Sequence, residues 1–216
     1  MKTNRRVAVV IVAASVALGI AFASPAWARS DKQVARASTL RISDFPAGWT
    51  TSPATEGSPS KLPACRATVA AAKKAKPYRA TAPDFGLSSG GTPTSRVANM
   101  VYVFPSVKQA KAYLAAFKLP SAEECLQARL DKSMEGSSVQ ATVETLDVSG
   151  SAADDELGLT ATVPSSVDTV YFEAVAFRVG RGVTTLTTQN VGARFPDTAS
   201  LATTAIARLK TNLATG

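Results

Sequence analysis

Three stretches of the chain place reactive side chains at spacings that could do chemistry. They are Ser58-Pro59-Ser60-Lys61, Asp154-Asp155-Glu156, and the basic series Arg66, Lys73, Lys74, Lys76 and Arg79. The first has the Ser-x-x-Lys spacing of serine acyl-transfer enzymes, in which the Ser opens a helix and the Lys lies one turn away. Here Pro59 follows the Ser inside a Pro/Ser-rich stretch, and no Ser-Asp-Asn or Lys-Thr-Gly element accompanies it, so the match reads as chance. The acidic triplet could offer oxygens to calcium, but it lacks the alternating ligands and turn glycine of a calcium loop and reads as a solvated turn. The basic series reads as a solvated helix face with its aliphatic stems laid along the protein; contact with an envelope polyanion is the alternative.

What is missing restricts the chemistry further. The 216 residues contain no histidine, which removes the usual general base near neutral pH and the commonest transition-metal ligand. Ser-His-Asp and Cys-His hydrolysis and His-ligated zinc or haem are thereby excluded. Cys65 and Cys125 are the two cysteines. In an oxidising compartment they are expected to pair, which also withdraws thiolate chemistry. Carboxylate, Ser-Lys or calcium chemistry remains, and neither a cofactor nor a metal is expected.

The compartment is read from the first 28 residues. Lys2, Arg5 and Arg6 precede an apolar run from Val7 through Phe22, and Ala26-Trp27-Ala28 has the small residues a signal peptidase reads. Residues 1–28 are therefore expected to be a secretory signal peptide, cleaved after Ala28. The run is shorter than the roughly 20 apolar residues of a membrane span and is interrupted by Ser15 and Gly19. Arg5-Arg6 leaves twin-arginine export open, although Val7-Ala8-Val9 favours the general route. With no cysteine near the cleavage site, no lipid anchor and no stable membrane anchor are expected after cleavage. The mature chain of about 188 residues suits one domain, and its formal charge falls from +8 to about +5. Secreted, extracellular or cell-wall-associated residence follows, and nucleic acid is not an expected partner.

The remaining residues read as alternating elements. A short helix spans residues 30–39, and Ser43-Asp44-Phe45-Pro46-Ala47-Gly48-Trp49 is a turn carrying the only tryptophan after residue 28. Residues 50–63, rich in Thr, Ser, Pro and Gly, read as a surface loop. Pro63 and Pro77 bracket a helix. Strands are predicted over 80–88 and 95–104, a helix with a Val107, Ala110, Leu114, Phe117 stripe follows, and Ser121 with Glu124 has capping-box spacing for another. Four strands come next, at 139–148, 157–163, 169–179 and 183–191, the last two a hairpin around Gly180-Arg181. A helix over 196–213 closes the chain. The fold class is α+β: a largely antiparallel sheet covered by helices, in a single domain over 29–216 with one disulfide, and a second sheet face either partly covered or open as a groove.

The order of elements resembles secreted actinobacterial sensor-domain proteins and is similar to the extracellular domains of PknH-like mycobacterial receptor kinases. The residues that carry the likeness are Leu40 with Asp44-Phe45-Pro46-Ala47-Gly48-Trp49-Thr50, Cys65 in a helix, and Val101-Tyr102-Val103-Phe104-Pro105-Ser106 before an Ala-rich helix. Cys125 and Phe177-Arg178-Val179-Gly180-Arg181-Gly182 complete it. It covers most of residues 36–214. The resemblance implies a helix-covered antiparallel sheet with a cleft for an extracellular ligand, and does not imply catalysis. A small exported fold of the PsbP or lipoprotein type is the structural alternative. Two departures stand out: no membrane span is expected to tether this chain, and one disulfide is expected in place of the two usual in the receptors. On the resemblance, Trp49, Tyr102, Tyr171, Glu173 and Arg178 are candidate cleft residues. The expected function is a non-enzymatic ligand-binding or sensor-like module for an envelope or extracellular ligand. Docking on another exported protein, or a hydrolase built on two carboxylates, are the alternatives.

Overall fold

The computed structural model describes residues 29–54, 62–75, 77–133, 140–164 and 168–215. In chain order the elements are α1 (Asp31–Ala37), a 3-10 turn (Ile42–Asp44), β1 (Thr50–Ser52), a second 3-10 turn (Pro63–Cys65) and α2 (Arg66–Ala75). Then come β2 (Tyr78–Thr81), β3 (Asp84–Ser89), β4 (Thr92–Val103), α3 (Val107–Phe117) and α4 (Pro120–Ser133). The chain closes with β5 (Thr142–Thr145), β6 (Asp155–Pro164), β7 (Thr169–Val179), β8 (Gly182–Val191) and α5 (Thr198–Ala214).

Eight strands form one antiparallel sheet in the order β1-β3-β4-β8-β7-β6-β5, with β2 pairing the far half of β4. Alternation decides what each face meets, because successive side chains of a strand point to opposite sides. Val97, Val101 and Val103 of β4 lie on the same face as Leu186, Val175 and Phe177, and all are buried. That face is packed by α1 and α5 through Val34, Ala35, Leu201, Ala205, Ile206 and Leu209. Fully burying an aliphatic side chain of this size contributes about 1.5–3 kcal/mol, so Leu209, with no exposed surface, anchors α5 strongly.

The opposite face meets α3. Phe104, Ala110, Tyr113 and Val183 form a second cluster with Tyr102, Phe117 and Ala176 around it. Its cover is partial among the described residues. Further along, Ala98, Thr187, Ala174 and Leu159 stand in one cross-strand row, half-buried except for the exposed Thr187.

Cys65 and Cys125 form the expected disulfide, joining the entrance of α2 to α4 with their Cα atoms 4.5 Å apart. The α+β class, the antiparallel sheet and the single domain are as the sequence indicated.

Several local expectations are corrected. The stretch taken as a loop over 50–63 begins with an exposed strand, since Thr50–Ser52 pair with Asp84–Gly86. The single strand expected over 80–88 is two, β2 and β3, divided around Pro83, which has no N–H for the ladder; Ala82 N–H still reaches the Asn99 carbonyl at 2.9 Å. Ser121 does not cap α4, because the helix already begins at Pro120, and its hydroxyl is buried without a partner among the described residues. On α3, Val107 is exposed and Tyr113 takes the buried place. The strand expected over 139–148 is confined to β5 among the described residues. The Ser58–Lys61 match lies outside the described residues.

Candidate functional site

The turn after α1 is built from short-range constraints. Ser30 Oγ accepts from the Gln33 N–H at the start of α1 and Gln33 Oε1 accepts from the Ser30 N–H, so two donors at the helix start are satisfied reciprocally. Leu40 is then pinned to the sheet centre, where its N–H donates to Asn99 Oδ1 at 2.9 Å. The Asp44 carboxylate accepts from the Arg41 N–H at 2.7 Å and from Arg208 Nη2 at 2.5 Å. Gly48 turns the chain with a φ of 97°, a left-handed conformation that a side chain would resist, and this delivers Trp49.

Trp49 packs on Phe45 with ring centroids 4.8 Å apart and meets Phe195 edge-on at 5.8 Å; Phe45 stacks on Phe85 at 4.3 Å. Between this turn and the start of α5 lies a cleft of about 230 Å³. Phe45, Trp49 and Phe195 give it an aromatic wall, and Asp44, Asp197 and Ser200 add polar groups. The lining thus combines an apolar surface with a few polar atoms. Asp44 has one carboxylate oxygen engaged by the Arg41 N–H and the other by Arg208, so its orientation is fixed.

The other sequence candidates divide between the two sheet faces. Glu173 is on the same face as α5, buried, and accepts from Thr198 Oγ1 at 2.6 Å and Thr188 Oγ1 at 3.4 Å. It ties β7 to the first turn of α5, directly behind Phe195. Tyr171 is half-buried on this face opposite Asn190. Tyr102 lies on the other face under α3, 5.2 Å from the Tyr113 ring. Burial pushes the Tyr113 hydroxyl far above the usual tyrosine range, and Tyr102 beside it adds to the shift while Arg79 opposes it. Arg178, also on that face, donates from Nη1 to Asp154 Oδ2 at 3.1 Å and to the Gly180 carbonyl at 3.2 Å. It braces the β7–β8 hairpin. Trp49 alone of the five lines the cleft.

The acidic triplet is dispersed in its partners. Asp154 pairs with Arg178, Asp155 with Lys118 at 2.5 Å, and Glu156 accepts from the Ser151 hydroxyl. No cluster suited to a metal occurs among the described residues. From the basic series, Arg66, Lys74 and Arg79 are exposed; the side chains of Lys73 and Lys76 lie outside the described residues.

Sequence reading missed Phe195, which lines the cleft, and Arg208, which holds the lining residue Asp44 from behind. An aromatic directly before Pro196, where the last helix was expected to open, was the available signal for Phe195. Arg208 had none, since its partner Asp44 is 164 positions away.

No protein-family model matches the chain, and no curated protein matches it either. Among solved structures it is similar to the extracellular domain of PknH from Mycobacterium tuberculosis. The TM-score is 0.53 at 12% identity, over 85% of this chain and 98% of that one. The two share a fold. No helix among the described residues is long and apolar enough to cross a membrane.

Proposed function

We propose that this chain is an exported, non-catalytic binding module that recognises an envelope or extracellular ligand in the cleft beside Trp49. The observation that carries the reading is the aromatic cleft, one of whose lining residues, Asp44, is fixed by Arg208, on a fold shared with an extracellular domain. The disulfide suits an oxidising compartment. Rigid placement also supports it: Asn99, Arg208 and Glu173 lock the elements on either side of the cleft, so little order has to be gained on binding.

The test follows Trp49 fluorescence and thermal stability of the purified chain against fractionated soluble fragments of digested cell envelope. One fraction is expected to shift both readouts saturably, and Trp49→Ala is expected to abolish its stabilising effect. The reading fails if no fraction binds. It also fails if a fraction is chemically consumed and Asp197→Asn stops that consumption, because a working carboxylate in the cleft would mean hydrolysis.

A further inference from the structure

Beside the Trp49 cleft runs a second groove, of about 400 Å³, between α1 and α5. Arg29, Arg41 and Arg208 line it, with Thr211 and Asn212 adding a hydroxyl and an amide. Ala37 and Ala207 complete the lining with short side chains, and none of the lining residues is acidic.

The three guanidinium groups are unequally satisfied. Arg208 is committed: Nη1 donates to the Thr39 carbonyl at 2.9 Å and Nη2 to Asp44 at 2.5 Å, which fixes its plane. Arg29 donates from Nη1 to the neutral Asn212 Oδ1 at 2.6 Å, so its position is set while no carboxylate among the described residues pairs with it. The Arg41 side chain is exposed and has no ion pair among the described residues. Two guanidiniums with no carboxylate partner among the described residues, beside a third that is rigidly held, offer donors to a planar or tetrahedral oxyanion, which Arg can engage with two parallel N–H donors.

We propose that this groove is an anion subsite for a phosphate or carboxylate group. The Asp44–Arg208 pair is the wall it shares with the Trp49 cleft: Asp44 lines one side and Arg208 the other. We extend the proposal to one ligand that reaches over this wall, with a ring against Trp49 and its acid among the arginines: an anionic saccharide or similar acidic ring compound. This last step rests on the binding-module reading; the anion subsite itself does not.

The experiment is an NMR titration of the purified chain, following the backbone amides of Ala37, Arg41, Ala207 and Asn212. Inorganic phosphate is the first probe. Glucose 1-phosphate, glucuronate and glucose then separate phosphate, carboxylate and neutral sugar. Saturable phosphate shifts confined to the groove are expected, with a dissociation constant of about 1 mM. Arg29→Gln with Arg41→Gln is expected to weaken them about tenfold. Both side chains lie at the surface, so that variant folds, and Arg29→Lys with Arg41→Lys is expected to recover only part of the affinity because the fork is lost. Glucose is expected to leave these amides unmoved. Non-saturating shifts spread over Lys108 and Lys111 as well, or unchanged affinity in the double glutamine variant, would overturn the subsite. If phosphate binds in the groove while no ring compound moves Trp49, the subsite stands and the shared-ligand step falls. If envelope fragments move Trp49 but phosphate does not bind, the subsite falls alone.

Discussion

Asn99 sits in the middle of β4 with no exposed surface, and its side chain carries three bonds that join separate parts of the fold. Oδ1 accepts from the Leu40 N–H, while Nδ2 donates to Thr184 Oγ1 at 3.1 Å and to the Thr185 carbonyl at 2.9 Å. Asn99→Ala strips the acceptor from a buried backbone N–H, which costs about 1–3 kcal/mol by itself. Losing the donor to a carbonyl and a hydroxyl, together with the small void left behind, brings the expected loss to about 3 kcal/mol. For a domain of this size that is a fall of about 6–12 °C in Tm. The assay is equilibrium urea unfolding read by circular dichroism and tryptophan fluorescence, with an unchanged m-value showing that the loss belongs to the native state. Because Leu40 leads directly into the turn that holds Asp44 and Trp49, its amide is expected to lose hydrogen-exchange protection before the strand amides do. A loss below about 1 kcal/mol with the Leu40 amide still protected would refute the reasoning, because it would mean that the buried N–H had found another acceptor.

Reducing the Cys65–Cys125 bridge reopens a separation of 60 residues, and chain entropy puts the expected destabilisation at about 4 kcal/mol; intact mass before and after reduction identifies the bridge, and urea midpoints measure its effect. Gly158→Ala is expected to destabilise by about 1–3 kcal/mol or more, because a new Cβ would press into the Leu146 carbonyl oxygen and displace the segment whose Leu146 N–H bonds to the Gly158 carbonyl at 2.9 Å. An unchanged thermal midpoint would mean that this crossing is looser than described. Asp155 is pulled up by partial burial, but the hydrogen bond and charge of Lys118, the Glu156 N–H and Arg178 together bring it below the ordinary value. A depressed carboxylate stabilises the fold above its unfolded pKa and loses that contribution as pH falls through its folded one, so the effect belongs to the acid limb and is small at this exposed pair. Carboxyl NMR titration is expected to show Lys118→Ala raising the Asp155 pKa; no movement would reject the pairing.

Patterns of short period were legible. The hairpin of β7 and β8 was visible as two alternating runs around Gly180-Arg181, and its register does put Val175 opposite Leu186. The last helix was visible as Leu201, Ala205, Ile206 and Leu209 on one arc, all buried. Boundaries were less so. Thr50–Ser52 looks like loop because it has almost no apolar content, and it is a strand only because β3 offers it an edge. Val107 matched the helical stripe yet is exposed, since the sheet beneath α3 reaches Tyr113 instead. Asn99 interrupts the apolar alternation of β4 and looked unremarkable without the Leu40 N–H it serves.

The candidate cleft was half legible. Trp49 stood out as a lone tryptophan behind a Pro-Ala-Gly turn, and histidine-dependent chemistry was excluded by composition. Tyr171, Glu173, Arg178 and Tyr102 shared strands, but strands have two sides and the side each faced depended on which helix covered it.

Composition and local pattern determined the available chemistry, the pairing of two cysteines and an antiparallel α+β fold, because these follow from residue types and from periods of a few residues. Only the tertiary structure decided which groups meet. Asp44 and Arg208, like Arg29 and Asn212, are joined across the packing of α5 against the turn after α1, with separations of 164 and 183 residues. No local spacing encodes such contacts: they exist because burial of the Leu209 face brings two distant surface edges together, and the grooves lie where those edges meet.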